Sequence, residues 1–170
     1  MTQPDVEVRE AVRADASAIS ALLREAFNEF EALYTPEALA STVPPESGIL
    51  ARMEEGPVWV AERGQSLVGT VAALRAPDCI LVRGMAVHPS ARGLGIGHAL
   101  LERTERFARE VAVQRLSLYT TPFLKQAIRL YQAAGFQFTG EADSPHGTEL
   151  LRMVKELAQS RHGLGGSNLS

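Results

Sequence analysis

The sequence predicts a single α/β domain over residues 1–157, and three observations carry that expectation. Short apolar strands alternate with amphipathic helices along the chain. One of those strands runs through a glycine-rich turn directly into a long helix. The 170 residues, 45% of them hydrophobic, suit one sizeable core rather than two. No run approaches the roughly 18 apolar residues of a membrane span, and the first five residues do not read as a signal peptide, so a soluble cytoplasmic protein is expected. Cys79 is the one cysteine and lies at the start of an apolar strand. It cannot close an intrachain disulfide and reads as a small core residue rather than a nucleophile.

The elements follow in order. Alternation around Val6 and Val8 predicts a first strand over about 6–11. Asp15 is placed as an N-cap for a helix whose Ile19, Leu22, Leu23, Ala26 and Phe27 share one face. The segment Asn28 to Tyr34 mixes aromatics with carboxylates and need not be core. Thr35-Pro36 starts a shorter helix with proline at its first position. Pro44 to Gly48 is a loop, and Ile49 to Glu55 is ambiguous. Two strands, 58–61 and 67–74, are joined as a hairpin through Arg63-Gly64-Gln65-Ser66. A strand from Cys79 to Val87 precedes the glycine turn. A helix over about 97–110 places Leu100, Leu101, Thr104, Phe107, Ala108 and Val111 on one side. Arg115 to Thr120 is a strand. Thr121-Pro122 is expected to cap a helix that turns Phe123, Leu124, Ala127, Ile128, Tyr131 and Ala134 inward and stops at Gly135. Phe136 to Phe138 and 149–154 form a last strand pair around a loop at 141–148, and 158–170 is expected to be a disordered tail.

The chemistry concentrates at Val82 to Gly97, where Gly93, Gly95 and Gly97 alternate just before the helix. Glycines admit positive φ and close approach of a ligand, so successive N–H groups can point into one concavity. The first N–H groups of the helix and its positive dipole end face the same place, which makes an anion site for a phosphate-bearing ligand. Spacing narrows the ligand. A Walker loop requires Gly-Lys-Ser/Thr, but His98 and Ala99 follow Gly97. The dinucleotide fingerprint requires a further glycine at His98 or at Leu100. What remains is Arg92-Gly93-Leu94-Gly95-Ile96-Gly97, of the form Arg/Gln-x-x-Gly-x-Gly/Ala.

This hexapeptide, with Met85-Ala86-Val87-His88-Pro89 before it, resembles the acyl-CoA pyrophosphate loop of the GNAT superfamily of N-acetyltransferases. A second motif, Ala127-Ile128-Arg129-Leu130-Tyr131-Gln132-Ala133-Ala134-Gly135-Phe136, is similar to that family's Ala-x-x-Leu-Tyr-x-x-x-Gly-Phe signature. The resemblance covers nearly the whole chain except the tail. It implies the GNAT acyl-CoA N-acyltransferase fold, in the order β-α-α-β-β-β-α-β-α-β-β. It also implies acetyl-CoA as co-substrate, an amine acceptor, and a homodimer; no metal is expected.

By the resemblance, the main chain of Arg92, Gly93, Leu94, Gly95, Ile96 and Gly97 would hold the pyrophosphate, with His98 adding a side-chain donor. The Arg92 side chain either contacts phosphate or braces the turn. The Met85 to Val87 strand would splay from the 115–120 strand, starting at a bulge at Gly84. The Met85 N–H would then polarise the thioester carbonyl, and the main chain at Ala86 and Val87 would face the pantetheine arm. Tyr131 matches the tyrosine that in many members protonates the departing sulfur, although its spacing equally suits a core residue. The pattern departs from the family at two points. Ile80 to Gly84 carries no carboxylate to serve as a base, leaving water relayed to Glu29, Glu31, Asp78 or His146. Leu124 stands where the family often has Asn. His88 reads as a strand-end residue.

Charge adds one expectation. The net charge of -3 is too weak to imply nucleic acid. Residues 1–62 nevertheless carry 12 acids against 4 bases, and residues 83–132 carry 3 against 8. A basic cofactor side faced by an acidic wall would suit a cationic amine, and solvated helix faces would give the same counts. A non-catalytic acyl-CoA-binding module is the competing reading.

Overall fold

The computed structural model describes residues 5–158. The chain folds as β1 (Val6–Glu10), α1 (Ala16–Phe27), α2 (Pro36–Thr42), α3 (Glu46–Glu55), β2 (Val58–Arg63), β3 (Ser66–Arg75), β4 (Ile80–Val87), α4 (Ile96–Glu110), β5 (Arg115–Thr120), α5 (Lys125–Ala133), β6 (Gln137–Asp143) and β7 (Leu150–Glu156). One seven-stranded sheet has the order β1-β2-β3-β4-β5-β7-β6. Every pairing is antiparallel except that of β4 with β5.

Strand alternation sends side chains to two cores. On one face Trp59, Ala61, Val71, Ile80, Val82, Leu116 and Leu118 pack with Leu100, Leu101 and Ala108 of α4 and with Tyr131 of α5. On the other face Val58, Val60, Ala72 and Ala86 pack with Ala16, Ile19 and Leu23 of α1 and Ile49 of α3. Each large side chain so buried contributes about 1.5–3 kcal/mol. Gly69 permits the close seating of α4 on β3, because a Cβ there would lie 2.8 Å from Ile96 and 3.0 Å from Leu100.

Most of the expected elements are present, with four differences. The ambiguous 49–55 stretch is the helix α3, an element beyond the expected order; Ile49, 1% exposed against α1, fixes it where a short apolar face interrupted by Gly48 gave little periodicity. Asp15 stands at the expected N-cap position of α1, but its side chain makes no cap hydrogen bond there. Its carboxylate accepts from the Val12 N–H (2.8 Å) and from Arg9 (2.8 and 3.0 Å), closing the turn before the helix. Thr121-Pro122 forms a turn, with Leu124 N–H donating to the Thr121 carbonyl (3.2 Å), and α5 begins only at Lys125. The β6 strand runs on to Asp143, interrupted between Phe138 and Ala142 where Gly140 has φ +86°. As an exposed edge strand it has no apolar alternation to betray its length.

Thr35 is the N-cap of α2, its Oγ1 accepting from Ala38 N–H (3.2 Å), with Pro36 next. Gly135 ends α5 at φ +98°. Cys79 is buried, and burial pushes its thiol pKa up, as befits a core residue. The expected tail from 159 onward lies outside the described residues. No helix among the described residues is long and apolar enough to cross a membrane.

Candidate active site

The central strands part where the sheet changes from antiparallel to parallel. β4 and β5 are in register only at Ile80 with Leu116 and Leu81 with Ser117. Beyond Val82 they separate, and a cleft of about 550 Å³ opens between them. The cause is local. Between Thr70 and Ala72 of β3 the register with β4 slips, so that Gly84 and Met85 together oppose Val71, and Gly84 takes φ +60°. That is a bulge at the expected glycine. It reverses the facing of the strand: Val82 packs toward α4, whereas Ala86 packs toward α1.

The bulge also determines which main-chain groups are free. His88 N–H donates to the Val68 carbonyl of β3 (2.8 Å). Because strand N–H groups alternate, that of Ala86 also faces β3, and those of Met85 and Val87 face the gap left by β5. The strand leads through a 3₁₀ turn, Pro89–Ala91, into the glycine loop. There Gly93 and Gly95 have φ +81° and +78°, and Gly95 is the N-cap of α4. The N–H groups of Ile96, Gly97 and His98 therefore begin the helix without intrahelical partners. Gly97 brings α4 close to α5, since a Cβ there would lie 2.6 Å from the end of the Leu130 side chain, which would have to shift. The missing Cβ lets α4 and α5 close the floor of the cleft.

Of the residues expected at the site, Met85, Ala86, Val87, Arg92, Gly93, Gly95, Ile96, Gly97, His98 and Tyr131 all line this cleft. Leu94 does not; its side chain points to solvent, 42% exposed. Tyr131 is 8% exposed and packs edge-on to Phe136, with ring centroids 6.0 Å apart. Burial, with a smaller contribution from Tyr34, pushes its phenol pKa up to about 12. It is a buried residue and a cleft residue at once, so the two readings of its spacing do not compete.

The opposite wall differs from expectation. No Asp or Glu lines the cleft, whereas Arg83, Arg92, His98 and Arg129 do. Two acidic residues of the N-terminal part meet the cofactor strand and loop instead. Glu29 pairs with Arg92 (2.5 Å), and Glu25 pairs with His88 Nε2 (2.6 Å), while His88 Nδ1 accepts from Ser90 N–H (3.1 Å). As expected, then, His88 braces the strand end. The other base candidates, Glu31, Asp78 and His146, do not line the cleft either, and Asp78 lies 3.7 Å from Arg115. The wall is aromatic, with Phe27, Phe30 and Tyr34 lining it and Phe123 packed edge-on to Tyr34 at 4.9 Å.

Three lining residues lay beyond the sequence reading. The Thr120 hydroxyl and Arg83 Nε are buried without a hydrogen-bond partner among the described residues, and the buried Thr121 hydroxyl lies beside the Tyr34 phenol. Arg83 had a legible signal, as the one charge inside the apolar strand Ile80–Val87. The threonines had none, because hydroxyls at a strand end are common.

Comparison with known proteins agrees with this geometry. The model of the Acetyltransferase (GNAT) family matches residues 18–136. N-acetyltransferase 8 of Mus musculus is 39% identical over 90 residues, 49% of this chain and 40% of that protein. N-acetyltransferase 8B of Homo sapiens is 36% identical over 90 residues, again 49% and 40%. The chain thus aligns with about 40% of the length of these curated relatives. Among solved structures, the PaiA N-acetyltransferase of Thermoplasma acidophilum, in complex with coenzyme A, superposes with a TM-score of 0.75 at 16% identity, covering 89% of this chain and 99% of that one. The ribosomal-protein-S18-alanine N-acetyltransferase of Escherichia coli gives 0.71 at 17% identity, covering 98% and 99%. With the family model matching most of its length and the fold shared throughout, the chain belongs to the GNAT family of acetyltransferases.

Proposed function

We propose that this protein moves an acetyl group from acetyl-CoA to a primary amine by direct attack within a ternary complex. The observation that carries the reading is the strand gap beside a helix N-terminus, in a chain of an acetyltransferase family. The residues present fit acetyl-CoA. The N–H groups of the loop and the first turn of α4 suit a pyrophosphate, and the main chain of Met85 and Val87 suits a pantetheine amide and a thioester carbonyl.

In this reading the Met85 N–H donates to the carbonyl oxygen as the amine nitrogen adds to the carbonyl carbon and negative charge collects on that oxygen. Such a donor contributes about 3 kcal/mol. As the carbon–sulfur bond breaks, Tyr131 gives its proton to the sulfur and recovers one from water. Its raised pKa keeps the phenol protonated throughout the neutral range. The amine reaches the carbonyl as the free base and its surplus proton leaves through water, since no carboxylate lines the cleft. The same observation favours the second reading, an acyl-CoA-binding module without turnover.

Free-thiol release from acetyl-CoA, measured across amino acids, polyamines, aminoglycosides and peptides, separates the two. Turnover with one class is the expected result. Silence across the panel, with acetyl-CoA still raising the melting temperature, would assign the binding module; silence without a thermal shift would remove the loop assignment itself.

A further inference from the structure

Arg83 is the last residue of β4 before the bulge at Gly84. Arg83 lies opposite Ala72, whose side chain packs on the α1 and α3 face, and residues directly opposite in an antiparallel pair share a face. Its side chain therefore leaves the sheet on the side of Phe27, Phe30 and Tyr34, away from the helices α4 and α5, and it lines the same cleft. There it meets α3. One Nη of Arg83 bonds Glu55, while its Nε is buried with no acceptor.

A second guanidinium stands next to it. Arg52 of α3 reaches over Gly84, its Nη1 only 2.7 Å from where a Cβ would be, and its Nη2 donates to the Ser41 carbonyl (2.8 Å). Arg52 has no carboxylate within ion-pair distance among the described residues. Burial, and to a lesser extent the neighbouring Arg83, lower its pKa, and Glu55 acts in the opposite direction. Two cations thus share one half-exposed carboxylate, Glu55, at the edge of a cleft whose lining holds no acid. A guanidinium has the planar fork of donors that matches the bidentate geometry of a carboxylate, and Arg83 is the one of the two that lines the cleft.

We propose that the amine acceptor is an amino-carboxylate, and that Arg83, with Arg52 beside it, holds its carboxylate on the α1 and α3 side of the cleft. The proposal rests on the acetyl-transfer reading and names the substrate class for that site. Only Gly84 separates Arg83 from Met85 along β4, and the bulge there shortens the rise between them, which suits a carboxylate close to the amine, as in an amino acid or a derivative of one. Polyamines and aminoglycosides bring only further positive charge to a wall that has no acid to receive it.

The test compares free amino acids with their carboxamides as acceptors, matched in side chain, in the free-thiol assay. The free acids are expected to exceed the amides roughly ten-fold or more in kcat/KM. In Arg83→Gln that ratio should fall to about one, chiefly through KM, with Arg83→Lys restoring part of it. Glu55→Gln, which frees the second guanidinium hydrogen bond, should raise the ratio. Equal or better turnover of the amides by the unmodified protein would overturn the proposal, as would preference for a diamine or a phosphate-bearing amine. If no amine turns over, the acetyl-transfer reading fails separately. Calorimetry of the acid and amide against the protein with coenzyme A then decides: binding of the acid alone, lost in Arg83→Gln, supports the carboxylate site, and absence of such binding refutes it.

Discussion

The two walls of the cleft recognise by different means. The cofactor wall, from β4 through the loop to α4 and α5, offers mainly main-chain N–H groups, held in place by Gly84, Gly93, Gly95 and Gly97. The wall from α1 to α3 offers side chains: Phe27, Phe30 and Tyr34, with Arg52 and Arg83 at its edge. Backbone recognition demands particular φ values and missing Cβ atoms, so it leaves glycines at fixed spacing. Side-chain recognition leaves residues that any surface or core could carry. The first wall is thus written as a motif, and the second is assembled only by folding.

Replacements on the two walls should separate in what they change. The largest effect is expected for Tyr131→Phe, which should lower kcat by about 10² to 10⁴ while acetyl-CoA affinity, by calorimetry, stays within about two-fold. Because burial holds this phenol's pKa near 12, the unmodified enzyme should show no loss of kcat from its ionisation below about pH 10. A matching pH–rate profile and turnover in the two proteins would remove Tyr131 as the acid.

Gly95→Val is expected next. The residue must hold φ +78°, which costs a β-branched side chain about 1–3 kcal/mol, and the displaced N–H groups should cost about a hundred-fold in acetyl-CoA affinity. Nothing lies within 4 Å of the new Cβ, so the core should survive and the melting temperature fall only modestly. Retained affinity would dismiss the loop as the phosphate site.

The contact between the walls can be cut at Glu29. Since Glu29 draws Arg92 away from the loop, Glu29→Gln should leave Arg92 free for phosphate and strengthen acetyl-CoA binding by up to about five-fold at low salt. Weaker binding would show that the pair braces the loop instead. The smallest effect, remote from both walls, is at Asp15, whose carboxyl is held below the usual range chiefly by its hydrogen bonds to Arg9. A carboxylate depressed in the folded state stabilises above its unfolded pKa and loses that contribution as pH falls through the folded one. Asp15→Asn should therefore cost about 1 kcal/mol in denaturant unfolding at pH 7, and the difference should shrink at pH 3.

Legibility followed the same physics. Strands β2 to β5 and helices α1, α4 and α5 were readable because apolar periodicity matched their burial in two cores. Helix α3 was not, since a single fully buried residue, Ile49, with little periodic support anchors it to α1. The acidic excess of residues 1–62 was legible as a count, but its targets were not. Glu25 and Glu29 sit one helical turn apart and pair with His88 and Arg92 across the molecule rather than line the cleft.

The sequence by itself determined the strand–loop–helix unit, the two motifs and the family, because each depends on neighbours along the chain: φ at a glycine, the start of a helix, the face of a turn. The tertiary structure alone decided what stands opposite. A one-residue bulge at Gly84 reverses the facing of β4 after Arg83, whose pairing with Ala72 sends it to the side of Arg52 and Glu55, and among the described residues no carboxylate lines the cleft. Facing depends on the register between strands and on helices brought from 30 residues away, and neither is encoded in the residues that end up touching.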